Sequence, residues 1–115
     1  MSAVAGGTDR EPAAAAFRLV ASADGRLSAQ GPLTFATARR ARALGAQLLG
    51  AAGGGALEVD CGGVTASDSA GLAVLLDWLA IARHAGHTLR YTHLPSGLTA
   101  LARISEVDEL LGRGV

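Results

Sequence analysis

Between Ala70 and Ala82 the chain reads AGLAVLLDWLAIA, an apolar run broken by a single charge at Asp77. It falls short of the roughly 20 residues needed to span a bilayer, and a helix of a soluble protein is expected. Leu72, Leu75, Leu76 and Leu79 recur at i, i+3, i+4 and i+7, the stripe with which a helix packs on a sheet. Val74, Trp78 and Ile81 recur at i, i+4 and i+7 and, at about 100° per residue, lie roughly opposite the leucines. A helix apolar on two sides needs two covers. The second cover is either a neighbouring helix or a protein partner, for which an exposed Trp is a typical anchor. The functional expectation is therefore a partner-binding face at Val74, Trp78 and Ile81.

The segments around this helix set the fold class. FRLVAS from Phe17 and RLSAQG from Arg26 flank Asp24-Gly25, a dipeptide suited to a tight hairpin turn, and predict two antiparallel strands. Phe35 to Ala52 carries Ala41, Leu44, Leu48 and Ala52 at helical spacing, with a glycine triplet at 53–55 as a stop. ALEVDC then reads as a short buried strand, followed by a polar ASDSAG loop and a helix over 70–85 that ends before Gly86. TLRYTHL alternates as a strand, SGLTALARIS is a short helix, and EVDELL adds one or two helical turns. The order β-β-α-β-α-β-α implies an α/β fold: a four-stranded mixed sheet, parallel in its centre, with helices on one or both faces. Residues 1–15 lack periodicity and are expected to form a flexible tail, leaving 16–115 as one domain.

Composition removes several function classes. Half of the 115 residues are apolar and 17% are charged, enough for a packed core. Ten arginines balance ten acidic residues and lysine is absent, so no basic surface invites nucleic acid. The single Cys61 can form neither an internal disulfide nor a thiolate metal site. The first residues lack a basic stretch followed by an apolar run, and a cytoplasmic protein is expected.

In open parallel sheets, functional residues gather beyond the carboxyl ends of the strands, where ASDSAG lies. A nucleophile elbow would need Gly-x-Ser-x-Gly, but Ser67 stands where the first glycine belongs and only Gly71 fits. His84 and His87 lie about 20 Å along the following helix, so no catalytic triad is evident. A lysine-dependent phosphate loop is impossible, and the histidines have no metal-ligand spacing, so neither enzyme activity, metal nor cofactor is expected. One polar residue caps a helix, worth about 1 kcal/mol. Three in succession leave a hydroxyl for solvent. A phosphate on Ser69 would meet helix N–H groups while placing up to about two negative charges beside Asp68. Ser69 is thus a candidate phosphoacceptor or partner contact, supported by Ser67, Asp68 and Gly71. The basic run Arg39, Arg40 and Arg42 near the start of the first helix reads as a solvated face, the alternative being a surface that pairs with an acidic partner.

The stretch LEVDCGGVTASDSAGLAVLLDWLAIARHAGHTLRYTHLPSGLTALARIS resembles the STAS domain family, which includes bacterial anti-sigma-factor antagonists, and the likeness extends over residues about 17 to 111. Asp68, Ser69 and Gly71 match the family's Asp-Ser/Thr-x-Gly pattern, which puts Ser69 at the antagonists' phosphoacceptor position. Within the family, LTFATA, SAGLAVLLDWL and GLTALARIS are most similar to the MlaB type. That resemblance implies a non-enzymatic cytoplasmic protein that binds the ATPase of a phospholipid-transport ABC complex serving outer-membrane lipid asymmetry. Its membrane association would run through that complex, with Ser69 and the second helix meeting the ATPase. The alternative it implies is an anti-sigma-factor antagonist regulated by phosphorylation of Ser69 by a partner kinase. A third is a STAS domain acting as a signalling scaffold.

Overall fold

The computed structural model describes residues 16–22, 24–50 and 55–113, so the expected tail at 1–15 lies outside the described residues, as do Gly53 and Gly54. The first hairpin joins β1 (Arg18–Ala21) to β2 (Arg26–Leu33) in antiparallel register, Leu19 opposite Ala29. Asp24 (φ 66°) and Gly25 (φ 73°) both take left-handed backbone angles at its turn, as the dipeptide predicts. The chain continues through α1 (Ala38–Leu49), β3 (Gly55–Ser67), α2 (Ser69–His84), β4 (His87–Thr92), α3 (Ser96–Ile104) and α4 (Asp108–Arg113).

The four strands lie in sequence order, with β2–β3 and β3–β4 parallel. Because that order never reverses, two crossovers of the same hand lay α1 and α2 on the same face of the sheet. The strand alternation follows. Leu27, Ala29, Val59, Cys61, Leu89 and Tyr91 are buried under the helices, while Arg26, Ser28, Glu58, Asp60, Thr88 and Arg90 occupy the opposite, open face. There Arg26 stands opposite Glu58 and Glu58 opposite Arg90, so unlike charges alternate across three strands.

Two predicted boundaries are corrected. α1 begins at Ala38 rather than Phe35, because residues 34–37 form a turn: the Thr37 hydroxyl donates to the Pro32 carbonyl (2.8 Å) and accepts from the Thr34 N–H (3.0 Å). The short strand ALEVDC is in fact a 13-residue strand reaching Ser67. β4 pairs with it only as far as Asp60, but β2 follows it to the end, with β3 taking an extra residue at each of two register shifts. Exposed Gly62 and Gly63 at the first shift carry no side chains for sequence periodicity to register.

The second apolar side of α2 is covered by α1. Trp78 is fully buried, its indole N–H donates to the Ala41 carbonyl (3.2 Å), and its ring lies 6.0 Å from that of Phe17. Gly45 makes the seam close, since a Cβ there would overlap the indole. Val74 is buried alongside, and half-buried Ile81 faces Gly50 at the end of α1. The expectation of a partner-facing surface at Val74, Trp78 and Ile81 is corrected for Trp78, which α1 covers completely; Val74 is buried but still lines the groove between α1 and α2, and Ile81 is half-buried. On the sheet side, the buried Tyr91 hydroxyl donates to the Leu75 carbonyl (2.6 Å) and ties α2 to β4.

Removing the indole with Trp78→Ala should cost about 3–5 kcal/mol of unfolding free energy, and Gly45→Ala, by overpacking the same seam, roughly 1–3 kcal/mol. The surface pair Arg42–Asp77 (2.9 Å, side chains 63% and 48% exposed) provides the control. Arg42→Ala should shift stability by no more than about 1 kcal/mol. Urea denaturation of the three variants checks the order, and a Gly45→Ala protein as stable as wild type would contradict the seam.

Candidate functional site

The polar motif sits where β3 gives way to α2. Ser67 is the last residue of the strand and half-buried, Asp68 alone is extended (φ −149°), and Ser69 is already the first residue of the helix. The predicted six-residue loop is thus a single-residue junction. Asp68 makes that possible with one carboxylate. Its Oδ1 accepts the N–H groups of Ala70 (2.9 Å) and Gly71 (3.1 Å), capping α2, while its Oδ2 accepts the N–H of Phe35 (3.0 Å) ahead of α1. These bonds, Phe35 foremost, hold the carboxyl below the ordinary Asp range against a smaller opposing push from burial.

Gly71 has a steric role. It is buried, and a Cβ there would overlap the Leu33 carbonyl at the end of β2, so only glycine lets the first turn of α2 approach the sheet this closely. With Asp68 bonded and Gly71 wedged, Ser69 is left exposed on the first helical turn. The structure therefore brings Ser67, Asp68, Ser69 and Gly71 together, whereas Val74, Trp78 and Ile81 pack beneath α1.

The other chemistry-bearing side chains lie apart from Ser69. Burial, helped by the Asp60 charge, pushes the Cys61 thiol up to about 12, so at neutral pH it is an inert core residue. His84 is at the opposite end of α2, His87 is buried at the start of β4, and exposed His93 pairs with Asp60 (3.1 Å). Among the described residues, no three His, Cys, Asp or Glu side chains are grouped to hold a metal ion. No helix of the described residues is long and apolar enough to cross a membrane.

Phe35 is the site residue that sequence reasoning missed. It is 83% exposed, more than any other large apolar side chain described, and stands over the mouth of a groove of about 410 Å³ between α1 and α2. The signal was present: carried back along the first helix, position 35 falls about 145° from the Ala41–Leu44–Leu48 stripe. Its backbone N–H on Asp68 ties it to the Ser69 turn.

Asp68→Ala should cost about 1 kcal/mol through the lost cap. The carboxyl titrates lower in the folded than in the unfolded chain, so its stabilisation is complete above the ordinary Asp value of 3.8 and is lost as pH falls through the lower folded value. Asp68→Asn should accordingly flatten the acid limb of the stability–pH profile, measured by thermal melts from pH 6 downward to about 2.5. Gly71→Ala should destabilise at every pH, as its clash is with backbone; an unchanged melting temperature would refute the wedge.

No curated protein matches the chain. The family described as "Mlab, STAS domain" matches residues 18–112, from the first strand to the last helix. That match spans the α/β sheet, the Asp68 junction and the helices packed on them, and the chain belongs to the STAS domain family.

Proposed function

We propose that this chain is an MlaB-type STAS subunit that binds the cytoplasmic ATPase of an ABC complex moving phospholipid between membranes, and supports its assembly or activity. Membership of the STAS family assigns a protein-interaction or regulatory role. The finer reading rests on one observation, the correspondence of residues 18–112 to the family described as Mlab. The geometry is compatible with it. Ser69 projects from a helix start held by Asp68 on one side and Leu33 on the other, so it meets a partner as a preorganised contact. In this reading the protein reaches the inner membrane only through the ATPase.

Ser69 then acts as a hydroxyl contact and not as a nucleophile. A single neutral hydrogen bond is worth about 0.5–1.5 kcal/mol, so Ser69→Ala should weaken binding by roughly twofold to tenfold. Ser69→Asp, which adds charge beside Asp68, should weaken it more. The test is affinity purification of the native protein and both variants from detergent-solubilised membranes, with mass spectrometry of what is retained. An ABC ATPase bound by wild type and progressively lost from Ser69→Ala to Ser69→Asp is the expected result. Recovery of a sigma-regulating kinase that phosphorylates Ser69, with no ATPase, would overturn the assignment. Trp78→Ala is unsuitable here, since it would report on folding.

A further inference from the structure

The groove beside Ser69 is built by α2 on one side and by α1 with the turn leading into it on the other. On α2 its lining residues are Ala70, Ala73, Val74 and Asp77, and on the α1 side Phe35, Ala38, Arg39 and Arg42. Both sets fall at i, i+3, i+4 and i+7; on α2 this is two helical turns or about 10 Å, while on the other side Phe35 belongs to the turn that leads into α1. The two sides run in the same direction, fastened by Phe35 on Asp68 at one end and by Arg42 on Asp77 at the other. Small alanines let a third backbone come close, and a furrow between parallel helices is what the ridge of another helix fills. Phe35 stands at its rim, 83% exposed.

The charge of the groove specifies its occupant. The first turn of α1 holds Arg39 and Arg40 but no acidic residue, the reverse of what a helix N-terminus favours. Two of the three arginines in this run are committed: Arg40 donates to the Phe17 carbonyl (3.2 Å), and Arg42 pairs with Asp77. No carboxylate among the described residues pairs with Arg39, which is exposed on the groove wall. An acidic side chain docked there would answer both the guanidinium and the unfavourable helix end.

We infer that the α1–α2 groove receives a helix of the partner protein, which lays a large apolar side chain over Ala73 against Phe35 and sets a carboxylate on Arg39. This rests on the protein-binding role proposed above, but not on the partner being an ATPase.

The test places a diazirine-bearing aliphatic residue at exposed Ala73, and as control at Thr88 on the open face of the sheet. After irradiation of native-host cells expressing the full chain, the adducts are sequenced by mass spectrometry. The expected adduct at position 73, absent at 88, is a protein segment of helical apolar period bearing Asp or Glu. Arg39→Glu should lower its yield about tenfold, and exchanging the partner's acidic residue for arginine should restore it. Lipid adducts, adducts to a second copy of this chain, no adduct, or a yield indifferent to Arg39→Glu would each overturn the inference. Melting temperatures of the variants confirm that the fold persists. If the captured segment is not from an ATPase, the groove assignment stands and the transporter reading fails. If an ATPase co-purifies but never cross-links through position 73, the groove assignment fails alone.

Discussion

The burial of Trp78 against Gly45 is the contact on which the outer layer of this protein depends. One indole fills the seam between α1 and α2, spends its N–H on the Ala41 carbonyl, and meets Phe17 from the first strand's approach. Its position determines how α1 lies beside α2. That placement in turn decides which residues of α2 reach solvent: Ser69, Ala73 and Ala80 remain exposed, while Val74 and Trp78 do not. An aromatic that could have anchored a partner instead organises the surface on which a partner would land.

Asp68 does for the functional end what Trp78 does for the middle of the helix layer. Its two oxygens take three backbone N–H groups, two from the turn that follows it and one from Phe35, 33 residues before it, so the cap of α2 and the entry to α1 are one hydrogen-bonded unit. Gly71 brings that unit against Leu33. The Asp-Ser-x-Gly pattern can thus be understood without chemistry at the serine: aspartate ties, glycine admits, and the residue between them is presented to solvent. The backbone that carries the Ser69 hydroxyl is fixed by those bonds, so it has little conformational freedom left to lose.

The sheet imposes the remaining constraint. Among the described residues the strands lie in sequence order, so the two parallel crossovers advance in one direction across the sheet. The helices crowd one face and leave the other to Arg26, Glu58, Arg90 and their polar neighbours. What such a fold offers is surface, and its distinctive part is the alanine-lined furrow beside Phe35 and Ser69.

Much of this was legible in the chain, because the features that carry it are local. The Asp24-Gly25 turn, the leucine period of α2 and the strand alternation of β4 are each set within a few residues, and they specify the order of elements and the mixed sheet. The Asp68, Ser69 and Gly71 cluster was legible too, as a helix start with a hydroxyl to spare. Tertiary structure alone decided the rest, since each remaining question concerns a contact between distant segments. Whether Val74, Trp78 and Ile81 face a partner depends on α1, some 35 residues earlier, and Gly45 resolves it by leaving room for the indole. How far β3 runs depends on β2, not on its own glycine-rich sequence. That Phe35 stands free depends on Thr37 turning back to Pro32. Periodicity determines which faces of an element are apolar, but only packing determines what covers them.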